Sequence, residues 1–334
     1  MEVLKKRVRA IGLISGGLDS LIAAKLLQDQ GIEVIGMTFS SPFWDCRKAV
    51  AIGEKAGIPM KVLDIAEEHF SIVKRPVYGY GSNMNPCIDC HALMIRKAGE
   101  SLDKEGADFI FTGEVVGQRP MSQRREALRT VEKLSGYEGK VLRPLSAKLL
   151  PETIPEVMGL VDRSKLLGIG GRGRKEQLKL ASHYGIEEYE TPGGGCLLTK
   201  EGYAKKLKVL LAHFPDASVR HAELLKHGRL FVIQEKFCLI VGRQAGDNAA
   251  IMALSRKEDI VFSCDRIPGP VGILIHSGVN CAPEIIEECA EIVASYSDAD
   301  RNARINIIYK CSGETRTVEV KVLNRNLFYD RFIK

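Results

Sequence analysis

Between residues 8 and 112 the hydrophobic period switches repeatedly between two and 3.6, and this alternation restricts the fold more than any other feature of the chain. Residues 8–15 form an apolar run that stops at a glycine pair, and residues 20–30 carry helical spacing before Gly31. Residues 33–39 read as a second strand, 46–56 as a helix closed by Gly57, and 60–65 as a third strand. Residues 92–105 read as a helix ended by Gly106, and 109–112 as a short buried strand. Strands joined through helices run parallel, and their crossovers cover both faces of the sheet. The expectation is an α/β fold with a doubly wound parallel sheet.

The alternation fades after Pro151, and Pro192-Gly193-Gly194-Gly195 is a strong break. Beyond it, helical spacing at about 203–213 and 219–226 precedes strand-like runs at 230–233, 237–242 and 271–276. A helix over 283–296 and a hairpin of 304–311 with 315–322 around Ser312-Gly313 follow. The expected boundaries are therefore a nucleotide-type domain over residues 1–198 and a smaller α+β domain over residues 199–334. With 45% hydrophobic and 27% charged residues in 334, the chain can bury two cores, which excludes general disorder. No apolar run of about 18 residues occurs, so no membrane partner is expected. The charged N-terminus lacks a signal core. The expected location is the cytoplasm, where the nine cysteines serve as catalytic, metal-binding or buried thiols rather than disulfides.

The net charge of +6 is unevenly spread. Arg119, Arg124, Arg125, Arg129, Lys133, Lys140, Arg143 and Lys148 form one basic stretch. Arg163, Lys165, Arg172, Arg174, Lys175 and Lys179 form a second, while the remainder of the chain is slightly acidic. Such stretches suit an anionic partner, with nucleic acid first, although solvated helix faces give the same pattern.

Ser15-Gly16-Gly17-Leu18-Asp19-Ser20 follows the first strand and opens the first helix. Glycines let a backbone approach phosphate, and the free amides of a helix start point at it. Ser15 and Ser20 can donate hydroxyl hydrogen bonds, and Asp19 can help hold Mg²⁺. A tight capped turn also fits the pattern. The string resembles the signature of the PP-loop ATP pyrophosphatases, whose fold is adenine nucleotide alpha hydrolase-like. The resemblance implies ATP cleavage between the α- and β-phosphates, with AMP carried on the substrate oxygen. It also implies that Met37, Thr38 and Phe39, ending the second strand, border the adenine.

Asn85-Pro86-Cys87-Ile88-Asp89-Cys90-His91 contains a Cys-x-x-Cys pair, and Cys196 follows the glycine run. A Cys-x-x-Cys pair in such a protein reads as a redox pair or half a metal site. The arrangement resembles the tRNA-thiolating branch of the PP-loop family, the tRNA 2-thiouridylases in particular. There Cys90 and Cys196 match the two reactive positions, and Cys87 stands where many members carry aspartate. The resemblance implies that Cys87, Cys90 and Cys196 hold three irons of a [4Fe-4S] cluster. The competing mechanism places a persulfide on Cys90 or Cys196. Cys46, Cys238, Cys264, Cys281, Cys289 and Cys311 sit singly and read as packing residues.

Residues 112–123 resemble a Gly-Glu-x-x-Gly-Gln-x-x-Ser-Gln stretch of the tRNA 4-thiouridine synthetases. This implies that Gly113 lies near the nucleotide, that Gln118, Ser122 and Gln123 line the cleft, and that Arg143 sits close by. Residues 168–173 contain Gly-x-Gly-x-x-Gly without a preceding strand, and read as a basic flexible loop rather than a dinucleotide site. His91 adjoins Cys90, where it tunes the thiolate or simply sits at the surface. Residues 237–248 resemble the start of an RNA-binding module of ribosome quality-control proteins, with Arg243 and Asn248 as its exposed polar candidates.

The reading is an ATP-dependent tRNA sulfurtransferase that adenylates a uridine carbonyl and replaces its oxygen by sulfur. Cys90, Cys196 and Asp19 are its catalytic residues; Ser15, Gly16, Gly17, Asp19, Ser20, Met37, Thr38, Phe39, Gly113 and Gln118 bind ATP. Cys87, Cys90 and Cys196 are its metal ligands. ATP, Mg²⁺ and a [4Fe-4S] cluster are the expected cofactors. RNA and a sulfur donor, either free sulfide or a persulfide carrier protein, are the expected partners, with a second copy of the chain as a further candidate. The alternatives are a PP-loop ligase or amidotransferase acting on a small molecule, and a non-catalytic RNA- or ribosome-binding protein.

Overall fold

A computed structural model of the chain describes residues 7–190, 195–234, 236–276, 281–311 and 313–333. Of the sequence features above, Pro192-Gly193-Gly194 and Ser312 lie outside the described residues. The chain folds as two compact units, Met1–Leu197 and Leu198–Lys334.

The first unit begins β1 (Arg9–Leu13), α1 (Leu18–Gln28), β2 (Glu33–Ser40), α2 (Arg47–Lys55), β3 (Met60–Asp64), α3 (Ala66–Lys74). It continues α4 (Cys87–Glu100), α5 (Leu102–Glu105), β4 (Phe109–Thr112), α6 (Arg125–Ser135), β5 (Val141–Leu142), α7 (Ile154–Val157), α8 (Lys175–His183). The strands form one parallel sheet in the order β3-β2-β1-β4-β5. On one face Leu18, Leu21, Ile22 and Leu27 of α1 and Ala181 of α8 join Ile14, Val34 and Phe109 in a core. On the other, Ala92, Leu93, Ile95 and Ala98 of α4 and Val131 of α6 pack on Ile11, Met37 and Ile110. Helices on both faces make the sheet doubly wound, as expected from the alternation.

Four helices of the first unit escaped the sequence pattern, the four-residue α7 and three longer ones. In α8 only Gln177 and Ala181 are buried, so it shows no apolar stripe; α6 packs Leu128, Val131 and Leu134 at helical spacing, a short stripe in an otherwise charged stretch. The third, α3, buries His69 between Phe43 and Trp44, a packing that local periodicity does not reveal. The helix expected over 92–105 starts five residues earlier, at Cys87, with Pro86 at its cap. It breaks at Ser101 before the short α5, whose end Gly106 takes a left-handed φ of 60°.

The second unit contains α9 (Glu201–His213), α10 (Val219–Leu224), β6 (Arg229–Ile233), β7 (Phe237–Val241), α11 (Ala245–Leu254), β8 (Ile260–Cys264) and β9 (Gly272–Ile275). It ends with α12 (Pro283–Ser295), β10 (Arg304–Cys311), β11 (Glu314–Lys321) and β12 (Phe332–Ile333). Its strands make one antiparallel sheet in the order β11-β10-β8-β9-β7-β6-β12. Helix α12 buries Ile285, Cys289, Ile292 and Val293 against Phe231, Leu239, Phe262 and Leu274. The sequence pattern did not register β8, α11 or β12. All nine cysteines are free of disulfides. Among the six read as packing residues, Cys238 and Cys289 are fully buried, and Cys46, Cys264, Cys281 and Cys311 are partly so. No described helix is long and apolar enough to cross a membrane.

His69 is fully buried, with Ser41 Oγ 2.8 Å from its Nδ1 and the Trp44 ring centroid 4.8 Å away. Burial lowers its pKa from 6.5 to about 4. The unfolded chain therefore binds the extra proton between these values, and stability rises with pH there. That contribution is complete above pH 6.5 and lost as pH falls toward 4. It amounts to at most about 3 kcal/mol. Trp44 is the single tryptophan. Urea unfolding followed by its fluorescence should show a midpoint that falls between pH 7 and pH 4.5.

Candidate active site

In this strand order the crossovers diverge between β1 and β4, which opens a crevice beyond the strand ends where ligands of open α/β sheets bind. Residues 14–17 leave β1 on one side of the crevice, and Gly113 leaves β4 on the other. Gly16 takes φ +74°, a turn that favours glycine, and Gly17 is extended at the start of α1. No side chain caps α1, so its first amides are open to an anion. Ser20 Oγ donates to the Gly17 carbonyl (2.8 Å), and Ser15 Oγ accepts from the Gly17 amide (3.4 Å). A Cβ at Gly113 would overlap the Ser20 backbone. The end of β4 thus lies against the first turn of α1. Gln118 Nε2 donates to Asp19 Oδ2 (3.0 Å), while Asp19 Oδ1 is buried with no hydrogen-bond partner. An inward-facing oxygen of that kind fits a cation such as Mg²⁺. Met37 and Phe39 bury their side chains in the core on the α4 face, Thr38 is also buried, and the Met37 carbonyl accepts from Ile14.

Cys87 occupies the first position of α4 and Cys90 lies one turn on, so both thiols stand at a helix start. Their neighbour Asp89 is buried, and its carboxylate accepts from the Val77 and Tyr78 amides at 3.0 and 3.1 Å. On the two sides of Cys196, Glu190 N donates to the Gly16 carbonyl (2.8 Å) and Leu197 N to the Phe43 carbonyl (2.8 Å). The first bond ties Glu190 to the β1–α1 loop, and the second ties the residue after Cys196 to the β2–α2 loop. Burial pushes the Cys90 thiol well above its ordinary pKa, and the thiolates of Cys196 and Cys87 push it further. Burial also raises Cys87, against the nearby positive charge of Arg119. Both thiols of α4 are thus held protonated by burial, and a metal centre bound there would ionise them. Among the described residues no three His, Cys, Asp or Glu side chains form a site for a single metal ion. A cubane cluster asks for something else, one thiolate on each of several irons. The three-thiol donor set has that chemistry.

Beneath this site lies a buried ion network that carries Arg143. The guanidinium, 3% exposed, donates from Nε to Glu114 Oε2 (3.0 Å) and from Nη1 to Glu132 of α6. Glu114 also pairs with His91 Nδ1 (2.9 Å) and accepts from Thr112 Oγ1 (3.0 Å). Burial alone would raise the Glu114 pKa, but Arg143, His91 and Thr112 outweigh it and hold the carboxyl at about 2. Arg143 thus leaves the basic stretch in which its sequence position put it and becomes an internal strut. His91 is a partner of Glu114. Glu114 and Asp89 are the site-building residues for which the sequence suggested no role; their signal was position alone, each one residue from a named candidate.

Other expectations resolve as follows. Ser122 and Gln123 are buried, and the Gln123 carbonyl accepts from Gly117 N at 2.7 Å. The 168–173 segment, read as flexible, is anchored: Ile169 N donates to Leu145 O (2.8 Å) and Gly171 N to Val116 O (2.7 Å). In the second unit, Arg243 is half-exposed but pairs with Asp247 (2.7 Å). Asn248, expected to be an exposed contact residue, instead holds a turn: Oδ1 accepts from Val271 N (3.0 Å) and Nδ2 donates to Gly269 O (3.3 Å).

Comparison with known proteins returns a separate match in each unit. Residues 8–135 match the tRNA methyl transferase HUP domain, and residues 228–333 match the NFACT protein RNA binding domain. The two resemblances read from the motifs thus recur over these residues. A tRNA-specific 2-thiouridylase MnmA of Geobacter metallireducens is 33% identical over 135 residues, covering 33% of this chain and 36% of its own. A tRNA-specific 2-thiouridylase MnmA 2 of Fusobacterium nucleatum subsp. nucleatum is 28% identical over 244 residues, covering 70% and 67%. The chain thus spans about a third of the length of the first relative. A solved 4-thiouridine synthetase–RNA complex with bound ATP aligns at 19% identity and a TM-score of 0.38, covering 65% of this chain and 53% of the other.

Two substitutions test this geometry. Gly113→Ala forces a methyl group onto the Ser20 backbone; overpacking of this kind should weaken ATP binding on the order of ten-fold by calorimetry. Glu114→Gln leaves the buried Arg143 with one carboxylate and should cost about 3 kcal/mol in urea unfolding.

Proposed function

We propose that the chain is an ATP-dependent RNA sulfurtransferase acting on tRNA, which replaces a uridine carbonyl oxygen by sulfur. The observation that carries this reading is the open loop at Ser15–Ser20, with an unpartnered Asp19 oxygen, in a unit that also presents Cys87 and Cys90 at the start of α4 and fixes Leu197, next to Cys196, to the Phe43 carbonyl. A phosphate loop alone suits many adenylating enzymes. A phosphate-type loop in the same unit as such thiols suits adenylation followed by attack of sulfur.

In the first step, Gly16, Gly17 and the open amides of α1 hold the phosphates, and Ser15 adds a hydroxyl donor. Asp19 Oδ1, buried without a partner, would hold a Mg²⁺ that would offset their charge. The uridine carbonyl oxygen attacks the α-phosphorus, the bond to the β-phosphate breaks, and pyrophosphate leaves. In the second step a sulfur nucleophile adds to the activated carbon, and the C–O bond breaks with AMP as leaving group. A [4Fe-4S] cluster held by Cys87, Cys90 and Cys196 would supply an iron free of protein ligation. Arg119, Arg124, Arg125 and Arg129 are exposed and suit the RNA backbone. The C-terminal unit, matched by an RNA-binding domain, supplies a second surface for the same substrate.

With tRNA, ATP, sulfide and reconstituted protein under anaerobic conditions, AMP and pyrophosphate should appear together with thiouridine, and Cys196→Ala should abolish the thiouridine. A thionucleoside profile unchanged in a deletion strain, with no AMP formed in vitro, removes the reading. Cys87→Ala should lose the visible absorption and the iron of the reconstituted protein. Arg125→Ala with Arg129→Ala should flatten the salt dependence of tRNA binding by about two units of log–log slope.

A further inference from the structure

We propose that the exposed ring of Tyr78 is the platform on which the acceptor nucleobase stacks while its carbonyl is presented to the thiols. This rests on the RNA sulfurtransferase reading and adds to it a residue that neither the motifs nor the comparisons single out. Tyr78 is 51% exposed and the preceding Val77 is 78% exposed, large apolar surfaces to leave in water. Among the described residues no other ring or cation packs on Tyr78. Yet the backbone beneath it is firmly held. The buried carboxylate of Asp89 spends both oxygens on the Val77 and Tyr78 amides. Gly79 then takes φ +69°, and the next aromatic, Tyr80, folds back to donate from its hydroxyl to the Val73 carbonyl (2.6 Å). Both rings are exposed, Tyr80 at 41%, but the Tyr80 hydroxyl is tethered to the main chain while Tyr78 is held through its backbone amide. A Cβ on Gly81 would lie 3.7 Å from Cys87 Sγ, so this loop borders the thiol site itself. Asp89 meanwhile links the Tyr78 backbone to the residue next to Cys90.

An exposed aromatic face on a held backbone beside the thiols suits a flat partner, and the nearby cations suit an anionic one. Arg119, whose charge acts on Cys87, and Arg75 of the same loop are both exposed. An unpaired base of RNA meets both requirements, since every base has a π-face and its backbone is negative. Tyr78 is a binding residue in this proposal, and Asp89 is a positioning residue acting through it.

The test uses the full-length protein with a pool of tRNA transcripts carrying 5-iodouridine, irradiated and mapped by peptide mass spectrometry. The adduct is expected on Tyr78. Tyr78→Phe should retain both the adduct and wild-type tRNA affinity; Tyr78→Ala should lose the adduct and bind tRNA roughly ten-fold more weakly. ATP affinity and the Trp44-monitored urea midpoint should not change in either variant. Asp89→Asn, with one acceptor oxygen in place of two, should lower the adduct yield. Wild-type affinity in Tyr78→Ala, or adducts in the first unit that avoid residues 75–81, overturns the platform while leaving the RNA reading intact. A wild-type protein that binds no tRNA overturns both. Should Tyr78→Ala fail to fold, the site of the wild-type adduct and the behaviour of Tyr78→Phe decide the matter.

Discussion

Burying Arg143 sets a condition that the rest of the first unit must meet. A guanidinium out of water needs carboxylates around it, and removal of one partner leaves a charge that the interior cannot solvate. Glu114 comes from the residues after β4 and Glu132 from α6, while His91 on α4 completes the contact through Glu114. One side chain after β5 thereby locks the exits of two strands to the two helices covering one face of the sheet. Because α4 starts at Cys87, the same lock sets where the thiols stand relative to the crevice.

The crevice depends in turn on close approach at one glycine. Gly113 brings the end of β4 onto the first turn of α1 because it has no Cβ to hold them apart. Gln118, a few residues on, reaches Asp19 and binds only one of its oxygens. The Ser15–Ser20 loop and the unpartnered Asp19 oxygen thus lie beside the end of β4. In the proposed reaction these are needed first, for leaving-group activation, before sulfur attack.

Legibility in the sequence varied with how local each signal was. The strands β1, β2 and β4 announced themselves because each is a largely buried apolar run bounded by glycine or by polar residues, while the edge strand β3 showed only its short apolar stretch. Gly16 and Gly57 both take positive φ, as their positions in turns suggested. The start of α4 was illegible, since its first turn consists of Cys, Ile, Asp and Cys and carries no apolar stripe. Likewise α8 buries Gln177 and Ala181, which no hydrophobic pattern records. In the second unit, Asn248 looked like a contact residue because amides often are, but its partners are two main-chain groups some twenty residues away.

By itself the sequence determined the parallel α/β class of the first unit, the phosphate loop at the first strand–helix junction and the residue types available for chemistry. These are local properties, set by a period of two or 3.6 and by which residues tolerate a turn. Only the tertiary structure decided that Arg143 is an internal strut and not a surface cation, that Gly113 lies against the first turn of α1, and that the Tyr80 hydroxyl bonds back to the Val73 carbonyl. The first two depend on groups brought together from distant positions by the order of the strands and by the need to neutralise buried charge. No window of neighbouring residues contains that information.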